Sequence, residues 1–226
     1  MTVYFGSARH DENGRLTGGA AGDQTGQEVM EQEGYVHKYG WRVFRPKQRA
    51  FALKLAKGMI IACDNENVGY DQNGRSGIIK HGVKTKVKTE ADCGTTVRAC
   101  CIYAGADPGP FYTGNEAKVL LESGLFYEIP FTGLDCLRVG DVLVTKKKGH
   151  TVIVTRGRER AECYPKYKGD SVSIIDALKA VGEKDTSFKH RTKIAEQNNI
   201  RFYKGTAAQN REMLSMLRGG TLEKTT

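Results

Sequence analysis

The segment E-A-D-C-G-T-T-V-R-A-C-C, residues 90–101, gathers three thiols: Cys93, Cys100 and Cys101. A cysteine attacks a carbonyl as its thiolate, and the first turn of a helix favours that form because unpaired N–H groups and the macrodipole attract negative charge there. The run from Cys93 to Ala104 suits a helix ended by Gly105, which leaves Cys93 alone at the helix start. Cys100 and Cys101 lie further in and are read as core packing, since small thiols are among the most buried side chains. Nucleophilic catalysis also needs a base. Of the five histidines (His10, His37, His81, His150, His190), His150 has the best setting, because it opens the strand-like run H-T-V-I-V-T behind a glycine and a basic loop. A cysteine on a helix followed by a histidine on a strand is an order that thiol catalysis uses.

The elements that must position this pair follow from composition and period. Residues 1–34 are glycine-rich and polar, and G-G-A-A-G-D-Q-T-G-Q-E-V (18–29) reads as a tight loop running into a helix, with Thr25 as N-cap and Glu28 as its reciprocal partner. Y-V-H-K-Y-G-W-R-V-F (35–44) has the content of a strand or hairpin. Pro46 is expected to open a helix in which Phe51, Leu55, Met59 and Cys63 form one apolar face. A turn-rich loop at 64–77 and a basic stretch at 80–89 lead to the cysteine helix, and a short helix is expected at about 115–123. The period then changes. F-Y-E-I-P-F (126–131), D-V-L-V-T (141–145), H-T-V-I-V-T (150–155) and R-A-E-C-Y (160–164) read as strands, the last two joined by R-G-R-E as a hairpin. Helices first and antiparallel strands afterwards make an α+β fold. Beyond a short Pro/Gly/Lys connector at 164–170, residues 171–226 read as a small module of three helices, near 171–181, 186–198 and 206–218.

Composition sets outer bounds. The chain has 226 residues, 39% hydrophobic and 27% charged, as a globular protein with an ordinary charged surface does. It contains no apolar run of about eighteen residues, so no span of a membrane is expected. Its start lacks the basic segment and apolar core of an export signal, so synthesis in a cytoplasm and free thiols are expected. No C-x-x-C pair and no histidine at zinc-ligand spacing occur, and no metal is expected. The net charge of +9 favours a polyanionic partner. Aromatic residues are not interleaved with basic ones as a nucleic-acid platform requires, whereas an acidic cell wall or peptide fits.

D-C-G-T-T-V (92–97), L-R-V-G-D-V-L (137–143) and G-H-T-V-I-V (149–154) together resemble the three landmarks of papain-like NlpC-type and CHAP-type cell-wall peptidases. G-S-A-R-H-D-E-N-G with the glycine-rich loop is similar to the opening of phage and prophage endolysins, and the likeness covers roughly residues 4–165. The module at 171–226 resembles the small wall-binding repeats of such lysins. The resemblance implies a papain-like catalytic domain over 1–165, with helices packed on an antiparallel sheet, that hydrolyses an amide bond of bacterial peptidoglycan without a cofactor. It also implies synthesis in a bacterial host and action on the wall after release. Endopeptidase action on the stem peptide is favoured, N-acetylmuramoyl-L-alanine amidase second; a non-catalytic wall binder on the same scaffold is the alternative. Carried over residue by residue, Cys93 is the nucleophile and His150 the base. Glu162, favoured over Glu159, would orient the imidazole from the strand after it. Tyr70 would line the cleft, with Gln24 and Asp23 as further oxyanion or substrate-binding candidates. The family's serine after the cysteine is here Gly94.

Overall fold

Every fourth residue from Phe51 to Met59 is apolar and buried, and these side chains form the inner face of helix α1 (Arg49–Cys63). In the computed structural model, which describes residues 2–10, 14–22, 28–147 and 149–225, α1 lies in the first of two compact units, 1–159 and 160–226. Cys63, at its last turn, is only partly buried against the core.

The first unit is α+β. Strands β1 (Tyr4–Ala8), β2 (Val29–Glu33), β3 (Trp41–Pro46), β6 (Phe126–Ile129), β7 (Val142–Thr145) and β8 (Thr151–Arg156) form one six-stranded sheet in the order β2-β1-β8-β7-β3-β6. Every neighbouring pair in it is antiparallel. β7 and β8 stand in the middle and are buried almost throughout, which is why their sequences are continuous apolar and β-branched runs. Val142, Val144 and Ile153 face a core shared with α1 and with helix α3 (Cys93–Ala104), while Leu143, Val152 and Val154 face a second core of Phe5, Trp41, Val43 and Leu137. Strands β4 (Val68–Tyr70) and β5 (Thr89–Ala91) form a separate parallel pair, with α2 (Gly77–His81) between them in sequence and α4 (Glu116–Glu122) after α3.

L-R-V-G-D-V-L has a structural job. Asp141 takes a bidentate pair from Arg45 at 2.9 and 2.7 Å and the Arg138 N–H at 2.9 Å, and both charged side chains are buried. Gly140 has φ +88°, and a Cβ there would meet the Ala52 carbonyl oxygen at 2.3 Å, so only glycine lets α1 lie against the sheet at this point.

Several expectations are corrected. The N-terminal segment supplies two strands, β1 and β2. No helix follows Glu28, whose buried carboxylate accepts the Tyr70 N–H at 2.6 Å, and Val29–Glu33 lies at the sheet edge, where its charged residues are suited to an outer strand. Pro46 ends β3 opposite Phe126; the helix starts after Gln48 instead. Tyr70 is on a strand, not in a loop, and His37 is in the connection before β3. Residues 160–164 do not fold back on β8, whose edges are already filled by β1 and β7. They pair with the C-terminal segment, through Cys163 opposite Glu223 and Tyr164 N–H to Leu222 O at 2.8 Å. The bond that overrides the hairpin is a buried ion pair, Arg160 to Glu223 at 3.0 Å, reinforced by Gln197 at 2.8 Å.

The second unit holds α5 (Ile174–Ala180), α6 (Phe188–Gln197) and α7 (Ala207–Gly219). Ser173, Ser187 and Thr206 cap them. Helices this short are marginal alone. Ile174, Leu178, Ile194, Met213, Leu217 and Leu222 supply the shared core that holds them.

Candidate active site

Cys93 is the first residue of α3, and the helix start is firmly fixed. Asp92 is the N-cap: its Oδ1 accepts the Thr95 N–H at 2.7 Å and its own N–H donates to Thr95 Oγ1 at 2.9 Å, a complete capping box. Arg75 adds an ion pair to Asp92 at 3.2 Å. The parallel β4–β5 pair sets the approach, since Ala91 is opposite Tyr70 and the chain enters the cap one residue later.

β8 brings the second group. The backbone of Thr151, the residue that follows His150, and that of Gly94 lie beside the Cys93 sulfur and favour its ionised form. Cys93 and His150 both keep part of their surface accessible. His150 packs on Trp41 with ring centroids 6.4 Å apart, and its Nε2 is 3.4 Å from the buried Ser7 Oγ on β1. Sequence reading missed Ser7: it is 143 residues from His150, in a segment whose reading goes no further than glycine-rich and polar.

Electrostatics set the resting protonation. Burial pushes the Cys93 thiol up to about 12, with Asp92 and Glu116 adding to the rise and the two backbone donors opposing it. Burial also pulls His150 down to about 4, helped by His37 and Arg9. At neutral pH both groups are therefore uncharged. The anionic cap works against the helix dipole, so a helix start does not by itself yield a thiolate here.

Tyr70 is buried, accepts a bond from Gln72 at 3.3 Å, and is raised to about 12 by burial, with Cys93 among the further causes. Tyr35 is likewise raised by burial and also feels Cys93. Both phenols stay protonated near the sulfur. Tyr35 was not foreseen; it belongs with His37 and Trp41 to an aromatic cluster beside His150.

Glu162 does not lie on the expected hairpin with β8, a hairpin that does not form among the described residues. Its side chain is 79% exposed and pairs with Lys224 at 3.6 Å. Glu159 pairs with Arg49 at 2.8 Å. Asp23 and Gln24 lie outside the described residues, as does Lys148, while Lys146 and Lys147 are exposed. Cys100 and Cys101 are buried in the core. Among the described residues, no three or more His, Cys, Asp or Glu side chains group as metal ligands, and no helix is long and apolar enough to cross a membrane.

Residues 5–161 match the family described as Endolysin-like domain. The chain belongs to this family. The match takes in Cys93 and His150 and, Tyr4 of β1 apart, the six strands of the main sheet, and leaves α5–α7 outside. No curated protein and no solved structure matches the chain.

Gly94 in this endolysin-like domain is not required by space. A Cβ there would lie 3.6 Å from Asp92 Oδ1 and 3.8 Å from Phe111, ordinary contacts. Gly94→Ala is therefore expected to stabilise the first unit by roughly 0.5–1 kcal/mol, because alanine loses less backbone freedom in a helix. A denaturant midpoint that falls would contradict this.

Proposed function

We propose that this chain is a peptidoglycan hydrolase that cleaves an amide bond of the wall peptide, with Cys93 as nucleophile and His150 as general base. The observation that carries the reading is the place of the Cys93 sulfur at a capped helix start, beside the backbone of Thr151, the residue next to His150. Endolysin-like membership supports the substrate class.

The uncharged resting pair implies that the thiol proton moves as the bond forms. His150 must offer a lone pair to the thiol, so the nitrogen beside Ser7 carries the proton and donates to Ser7 Oγ; the other nitrogen accepts from Cys93. Sulfur then adds to the scissile carbonyl, and the imidazolium returns its proton to the leaving amine, giving a thioester that water hydrolyses. The Tyr70 and Tyr35 hydroxyls are the side-chain donors for the oxyanion, beside the backbone N–H of Cys93. Within this reading, endopeptidase cleavage in the stem peptide is preferred to amidase cleavage at the muramoyl bond, and the second unit serves as the wall-binding module.

The test is mass spectrometry of fragments released from purified walls of defined composition. New amino and carboxyl termini within stem peptides are the expected products. Free L-alanine amino termini with intact glycan would shift the assignment to the amidase. New reducing sugar ends, or no release although the protein co-sediments with the wall, would overturn it.

A further inference from the structure

Glu116 has no role in the scheme above, yet it is fully buried beside the candidate nucleophile. Its Oε1 is 2.8 Å from Thr151 Oγ1, which is also 3.0 Å from the Leu143 carbonyl oxygen. Its Oε2 has no hydrogen-bond partner among the described residues. Thr151 owns one hydroxyl hydrogen and faces two acceptors. An ionised Glu116 would take that hydrogen away from Leu143 and still be a buried charge with a single donor, an expensive state. A neutral carboxyl resolves the conflict: its O–H donates to Thr151 Oγ1, and Thr151 donates to Leu143.

The surroundings agree. Asp92, Cys93 and Cys101 face Glu116 from α3, and Thr151 faces it from β8, with His150 one residue before. On the strands packed against α4, Arg45 is committed to Asp141, and Arg42 and Glu128 to one another. Lys118 and Glu122, on α4 itself, are solvent-exposed and paired. No cation among these compensates a Glu116 charge.

We propose that Glu116 is a positioning residue kept as a neutral carboxylic acid: it anchors Thr151, whose backbone lies beside the Cys93 sulfur, and its ionisation would suppress the Cys93 thiolate. Burial, opposed by the Thr151 bond and aided by Asp92, raises the carboxyl to about 8, so the suppression falls within an accessible range. The inference rests on the reading of Cys93 as the reacting thiol, but it can be tested without any wall substrate.

The experiment is iodoacetamide alkylation of Cys93, followed by peptide-resolved mass spectrometry from about pH 6 to about pH 9.5, in wild type and Glu116→Gln. The amide keeps a donor to Thr151 but cannot ionise. The two proteins should react alike at about pH 6, and the variant about threefold to tenfold faster at about pH 9, because one pKa unit is tenfold in thiolate. Superimposable profiles would overturn the proposal. If Glu116→Gln does not fold, infrared titration of the wild type decides: a protonated-carboxyl band that persists at neutral pH and fades on the alkaline side supports it, and its absence at neutral pH refutes it. Wild-type protein that gives these readouts yet lyses no purified wall would instead count against the hydrolase reading.

Discussion

Cys93→Ala is expected to reduce the rate of wall lysis by about ten-thousandfold or more while leaving the fold intact, if the proposed hydrolase reading holds. The magnitude is that of deleting a covalent nucleophile, after which only substrate binding and oxyanion donors remain. The remaining thiols of the first unit offer no substitute. Cys100, Cys101 and Cys136 are buried, and burial raises the Cys63, Cys100 and Cys101 thiols as well. Alanine suits the first position of a helix and leaves the Asp92–Thr95 capping box in place. Turbidity loss of purified walls, measured beside the thermal midpoint, is the check. Lysis by the variant at the wild-type rate would remove Cys93 from the mechanism.

The second large effect concerns stability. Asp141→Ala removes the carboxylate that neutralises the buried Arg45, which keeps a 2.7 Å bond to the Cys136 carbonyl, and removes the acceptor that Asp141 offers the Arg138 N–H. Breaking one side of a buried pair costs about 3–5 kcal/mol, a large part of the roughly 5–15 kcal/mol that holds a typical domain together. A drop in thermal midpoint on the order of 10 °C is expected. The double variant Arg45→Met, Asp141→Leu removes both charges and should recover most of the loss, because an apolar pair of similar volume needs no desolvation. A single variant that melts like wild type would show that this pair does not hold β3 to β7.

How far the sequence could be read depended on the range of the interactions involved. The elements around Cys93 were legible because their signals are local: apolar residues at every fourth position in α1, and a start before Cys93 with a glycine stop at Gly105 in α3. The runs at 142–145 and 151–156 are apolar enough to be strands in any context. β1 and β2 were not legible, since Y-F-G-S-A and V-M-E-Q-E carry weak propensity and become strands through pairing with one another and, for β1, with β8. The hairpin expected at 156–164 was locally plausible. A buried contact from Arg160 to Glu223, 63 residues away, decided against it.

The sequence by itself determined the two reacting groups proposed here. A thiol at a helix start and an imidazole at the head of a strand are local facts, and residues 5–161 match the endolysin-like family. Only the tertiary structure decided what else surrounds the pair: Ser7 against the imidazole, Tyr35 near the sulfur, and Glu116 beneath Thr151. These residues come from β1, the connection before β3 and α4, and no spacing along the chain relates them. The physical reason is that desolvation and hydrogen bonding depend on which side chains the sheet order packs together, and that order is settled by long-range burial.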